Sequence, residues 1–205
     1  MNAPSPALHQ PEASAQDASI SQDIAAFAAA LDPESVPARV KENAKLHILD
    51  VIGTALAATR FDFSHRALAG LLALGEPAAH TIIGMPARLP LRDASLMNGI
   101  LAHGLDYDDT HPGAIVHPSS STFPCALAVA EKVDASGTDL IAAYVLGVDI
   151  ATRVGITAAG AMHTLGFHTT GIAGHFGCVM AAGKLLGLDA QQLTRAQGLA
   201  GRPFG

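Results

Sequence analysis

The sequence predicts an all-α protein, and three observations carry that reading. Apolar residues recur at helical spacing along most of the chain, as Ile24, Phe27, Ala28 and Leu31 do at i, i+3, i+4 and i+7. Hydrophobic residues make up 49% of the chain but aromatics only 4%, with 20 glycines, so helices can pack closely through small side chains. Only one short run, HTIIGM at 80–85, looks like a strand, and neither strand–helix–strand alternation nor an internal repeat is present.

Taken in order, residues 1–19 hold three prolines and no Lys or Arg. They lack the basic start and apolar core of a signal peptide and are expected to form a flexible tail. Residues 20–205 form the folded part. Ser21 is expected to cap the first helix. Pro37 suits the first turn of a second, in which Val40, Ala44, His47, Ile48 and Val51 line one face to about Ala58. Ser64 is expected to open a third helix and Gly75 to close it. Asp93 opens a fourth, through Leu101. A helix from about Ser119 to Val133 follows, then one over 140–159 with Thr138 as its cap. Gly171–Leu186 is expected to be a helix packed through Gly171, Gly174, Gly177, Ala181 and Ala182, and Asp189 caps the last one. About eight helices result.

Charge and composition exclude several classes. The net charge of −6, without a Lys/Arg block, argues against a nucleic-acid partner. The most apolar run, HILDVIGTALAA, carries Asp50 and is too short to span a bilayer, so no membrane association is expected. Cys125 and Cys178 each read as a separate buried thiol, rather than half of a disulfide or metal pair. These features together suggest a cytoplasmic protein. GFHTTGIA lacks the Lys-Ser/Thr of a phosphate loop. DYDDTHPG starts like an EF-hand but places His111 where Gly is needed and His117 where Glu is needed. Neither HExxH nor GxSxG occurs.

Two polar clusters stand out against this apolar background. In HGLDYDDTHPGAIVHPSSSTFP (103–124), three aspartates and three histidines lie between His103 and His117. The prolines after His111 and His117 disfavour helix at both histidines. GAMHTLGFHTTG (160–171) is a second loop, with His163, His168, Thr169 and Thr170. Loops held by a rigid scaffold commonly carry catalytic groups. Each residue also has a plain structural explanation: Asp108 and Asp109 as turn carboxylates, Asp106 as a cap, His163 as solvent-facing, His47 and His175 as satisfied core histidines. The functional reading is acid–base chemistry, because adjacent carboxylates raise one another's proton affinity and a nearby His⁺ reverses the effect. Asp and His are also metal ligands, but the spacing matches no standard site, so no metal is expected.

NGILAHGLDYDDTHPGAIVHPSSSTFPCALAVAE (98–131) closely resembles the signature of the MmgE/PrpD family. PARVKENAKLHILDVIGTALAA (37–58) is similar to the family's early helix, and GFHTTGIAGHFGCVMAAGKLLGLDAQQLTRAQGLAG (166–201) to its histidine loop and following helices. The resemblance covers residues 20–201. It implies a large all-α domain accompanied by a smaller α/β domain, in homodimers, without metal or organic cofactor. It also implies proton transfer on small di- and tricarboxylic acids. By motif match, Asp106, His117 and His168 fall on active-site positions and are the expected catalytic residues. His111 and Thr169 are the expected substrate-binding neighbours.

The family's activities include 2-methylcitrate dehydration, cis-aconitate decarboxylation and iminodisuccinate epimerisation. The first is the leading expectation here and the others are its alternatives. Family members run to roughly twice this length. A lysine after the GLAG segment, later lysine and tyrosine contributions, and the smaller domain are absent. On this reading the 205-residue chain is an N-terminal portion of the helical domain. Alone, it is expected to be weakly active or inactive. An inactive remnant or helical interaction module, with apolar surface on its last two helices, is the non-enzymatic alternative.

Overall fold

A computed structural model describes residues 19–75, 78–158 and 160–202. The expected tail at 1–19 therefore lies, apart from Ser19, outside the described residues. Among the described residues the architecture is all-α as expected, with nine α-helices and one two-stranded hairpin. The helices are α1 (Ile20–Ala30), α2 (Ala38–Ala58), α3 (Asp62–Leu74), α4 (Leu91–His103), α5 (Pro118–Val133), α6 (Gly137–Thr157), α7 (Ala161–Thr164), α8 (Thr169–Leu185) and α9 (Ala190–Gly201). The ninth is the single turn α7, inside what was expected to be loop.

Helix starts follow capping chemistry. Ser19, not Ser21, caps α1, because Gln22 sits three residues on and closes a reciprocal capping box. Asp189 and Gln192 form the same box at α9, as expected. Ser136, not Thr138, caps α6 by accepting from the Asp139 N–H. α3 begins at Asp62, and Ser64 instead turns its hydroxyl onto the Phe61 carbonyl at 2.6 Å. α4 starts at Leu91, with Pro90 preceding it.

The 80–85 run forms a shorter strand than expected. Only β1 (His80–Thr81) pairs, antiparallel, with β2 (Arg88–Leu89). The chain turns between them at Gly84, whose φ of +72° favours glycine. Ile82 and Ile83 are buried in the core instead. Asn98 on α4 clasps the hairpin, accepting from the Ile83 N–H and donating to the Thr81 carbonyl, both at 2.8 Å.

Two main clusters make the core. One joins α2, the hairpin, α4, α5 and α6 through Val51, Ala55, Leu89, Met97, Leu101, Phe123 and Tyr144. The other joins α1, α6, α8 and α9 through Ala25, Ala28, Leu146, Ile150, Met180 and Leu193. α6 belongs to both. It is long and apolar enough to cross a membrane, yet Ala142, Ala143, Leu146, Gly147, Ile150 and Ala151 on it are buried within the protein. On α2, Ala44 and Val51 are buried as expected, whereas His47 is half exposed. Exposed large apolar side chains do not concentrate on the last two helices. α2 shows Leu46, Leu49 and Leu56, against Leu199 alone on α8 and α9 among the described residues.

Two parallel helices position the site. α5 and α8 run side by side in a constant register. The His117 N–H donates to Thr170 Oγ1 at 3.0 Å, Ser121 abuts Gly174, and Cys125 meets Cys178. The N-termini of both helices therefore lie together.

Candidate active site

The 103–117 segment folds into a compact loop between α4 and α5. Asp106 takes a left-handed conformation (φ +57°), which aspartate tolerates better than most residues. His111 pairs with Val116 across a short bridge. Asp109 turns inward. It accepts from the Ser119 N–H at 3.1 Å and the Ser119 hydroxyl at 2.6 Å. Tyr144 O–H lies 2.6 Å from the same hydroxyl and completes a buried chain from Tyr144 through Ser119 to the carboxylate. Burial pushes the Tyr144 hydroxyl far above its ordinary value, so it stays a proton donor. His117, the residue before α5, offers no side-chain cap, and Asp109 takes over that task.

At least one of Asp108 and Asp109 was expected to be a solvated turn carboxylate, and Asp108 is not. Its side chain is instead fully buried, and the His103 Nδ1–H donates to both of its oxygens at 3.0 Å. Burial acts to raise the Asp108 carboxyl. Hydrogen bonds from His103 and Ser120, with the His103 charge, together outweigh burial, and the net shift is downward. The same hydrogen bond raises His103 against the opposing effect of burial. The two form a held ion pair with the His103 Nε2 edge left over. Sequence reasoning missed His103. Its signal was its place one turn before Asp106, at the end of α4.

His117 lies behind this pair. Its Nδ1 is 3.3 Å from both the Asp108 carbonyl and Thr110 Oγ1. A carbonyl only accepts, so Nδ1 carries the proton and Nε2 is left as the basic nitrogen in the neutral ring. That Nε2 lies 3.8 Å from Asp106 Oδ1. The His103 ring stands 5.1 Å from the His117 ring and 5.7 Å from the His168 ring, centre to centre. Asp106, His117 and His168, expected to be catalytic from separate loops, are thus brought together around His103. Donor atoms of His103, Asp106, Asp108 and His117 all lie within 4.8 Å of one another.

Beside this cluster is a cleft of about 700 Å³. Among the described residues, its lining includes Arg92, His103, His168 and His175 and no aspartate or glutamate. Arg92 and His103 are each paired with a carboxylate just behind the lining, Asp93 and Asp108. His175 was expected in the core; it is exposed in the cleft with Nδ1 2.7 Å from the Gly171 carbonyl, because one turn into α8 it faces away from the packed glycine side. Arg92, unnoticed in the sequence, pairs with Asp93 at 2.8 Å and brings a permanent cation. The two expected binding residues, His111 and Thr169, lie elsewhere. His111 is exposed, and its Nδ1 accepts from the Ala114 N–H at 3.1 Å, bracing the loop. Thr169 is buried with its hydroxyl unpartnered, and Thr170 takes the place in the cleft wall.

Helical packing and two histidine loops that meet beside a cleft define an all-α domain with a clustered Asp/His site. Comparison with known proteins places it more closely. The MmgE/PrpD N-terminal domain family matches residues 22–203, and the chain belongs to that family. Among curated proteins it is similar to a cis-aconitate decarboxylase of Aspergillus terreus, 28% identical over 187 residues, covering 88% of this chain and 38% of that protein. It is 32% identical to the cis-aconitate decarboxylase of Homo sapiens over 169 residues, covering 79% of this chain and 35% of that one. The chain thus spans less than half the length of these relatives.

Proposed function

We propose that this domain contributes the proton-transfer half of a lyase site for small tricarboxylic acids, with cis-aconitate as the preferred substrate and decarboxylation as the reaction. The observation that carries the reading is the cleft itself, which gathers one arginine and three histidines and, among the described residues, no carboxylate. A tricarboxylate needs such partners. The adjacent N-termini of α5 and α8 add partial positive charge on the same side. 2-Methylcitrate dehydration, the first expectation from sequence, takes second place because the relatives reported above are named for cis-aconitate.

In this reading His103 and His168 line the cleft, and Asp106 and His117 stand behind His103. Arg92 and the His103 imidazolium, held charged by Asp108, receive substrate carboxylates. Loss of a carboxyl group leaves an electron pair on carbon that must be protonated. His117 Nε2 and Asp106 hold and deliver that proton, and His168 approaches from the α8 side. The test is to titrate the purified chain with cis-aconitate and 2-methylcitrate separately, following heat and the mass of any product. Saturable cis-aconitate binding is expected, weakened about tenfold in His168→Ala by loss of one charge-assisted contact. No binding of either acid would end the reading.

One observation favours a second reading. The His103, Asp106, Asp108 and His117 donor set has the compactness of a site for a divalent transition metal. Metal analysis of protein purified without chelators decides it, and absence of Zn, Mn and Fe would end that alternative.

A further inference from the structure

The third rung of the α5–α8 pair holds two thiols. Cys125 Sγ lies 3.7 Å from the Cys178 carbonyl, and Cys178 Sγ lies 3.4 Å from the Ser121 carbonyl, one turn before Cys125. Each thiol thus reaches back onto the other's helix. They were expected to be separate buried thiols. Only the parallel register brings them together, because both residues stand eight positions beyond the His117–Thr170 contact. The helices can come this close because Gly174, on the rung below, has no side chain: a Cβ there would lie 2.6 Å from Ser121 Oγ. Both cysteines are free, and both line the cleft.

We propose that Cys125 and Cys178 form a dithiol site in the wall of the cleft, which a peroxide-class oxidant converts to an intramolecular disulfide. The chemistry balances with hydrogen peroxide alone. The Cys125 sulfur attacks one peroxide oxygen, breaking the O–O bond to give a sulfenic acid and water. The Cys178 sulfur then attacks the Cys125 sulfur and expels hydroxide, which takes up the Cys178 proton as a second water. Peroxide is reduced and the two thiols are oxidised.

Two features favour Cys125 as the first to react. It lines the cleft, so a small oxidant reaches it. The neighbouring thiol also holds Cys125 below the ordinary thiol range, whereas the same contact and then burial hold Cys178 well above it. The product would pin α5 to α8 eight residues beyond the His117–Thr170 contact. The site is independent of the proposed tricarboxylate chemistry, and its test needs no turnover.

The experiment treats the reduced chain with hydrogen peroxide, blocks remaining thiols, and maps peptides by mass spectrometry. The expected product is a monomer lacking two hydrogens, with the Cys125 peptide linked to that of Cys178. It should form faster in the native protein than in urea, where the rung is broken. Phenylarsine oxide, which bridges two neighbouring thiols, should protect both cysteines from alkylation in the wild type and leave Cys178 unprotected in Cys125→Ser. Three results would overturn the proposal: a sulfinic acid on Cys125 with Cys178 still free, linkage only between chains, or cross-linking no faster in the native state than in urea.

Discussion

Asp108 decides the state of His103. Its carboxyl is held below the ordinary value, so its stabilising effect is present above about pH 3.9 and is lost as pH falls through the lowered value. His103 is raised, so its effect is present below about pH 6.5 and is lost as pH rises through the raised value. The pair stabilises the fold most between these limits. Asp108→Asn should flatten both limbs of a plot of urea midpoint against pH. It should also lower stability near pH 6 by about 1.5–3 kcal/mol, the worth of a charged hydrogen bond. A profile parallel to wild type would show that the pair is not ionised. Tyr144→Phe removes the donor at the head of the Ser119–Asp109 chain and should cost about 1 kcal/mol by the same measurement. An unchanged midpoint would mean that Ser119 needs no partner there. Sequence reading named Asp106 and His117 and gave Asp108 and Asp109 alike a turn-shaping role. Spacing along a loop does not reveal which of three aspartates faces inward.

At the scale of elements, the α6–α8 crossing depends on two glycines whose backbones touch. A Cβ on Gly147 would lie 2.8 Å from the Gly177 carbonyl, and one on Gly177 would lie 2.6 Å from the Gly147 carbonyl. These neighbours are backbone and cannot rotate aside. Gly147→Ala should therefore destabilise the domain by about 1–3 kcal/mol, although alanine is the better helix former. Thermal unfolding of the variant checks this, and a raised midpoint would disprove the close crossing. Helix existence was legible from periodicity, and the caps were nearly so. Ser19 was overlooked in favour of Ser21, although Gln22 stands at capping-box distance from it. The α7 turn and the shortening of the strand at Thr81 were not legible, because both depend on what lies across from them.

Across the whole molecule, the first helix closes onto the last two. Gln197 Nε2 donates to the Ser21 carbonyl at 2.8 Å, and Lys184 Nζ to the Ala29 carbonyl at 3.0 Å. Ile24 and Leu31 pack against the cluster of Leu146, Ile150, Met180 and Leu193. Deleting residues 20–31 should cost about 1–3 kcal/mol from the lost partial burial of those two side chains. The urea midpoint should fall accordingly, and a midpoint within error of wild type would mean that the core closes without α1.

The sequence by itself determined the all-α class, the order of the helices and the two loops that carry the chemistry. These are local properties, written in periodicity, capping residues and the clustering of Asp and His. The tertiary structure alone decided the rest. It buried Asp108 against His103, placed Arg92 and His175 in one cleft, and aligned α5 with α8 so that two cysteines in different helices meet. Each of these depends on contact between segments far apart in the chain, and side-chain spacing within one segment carries no information about what will be packed against it.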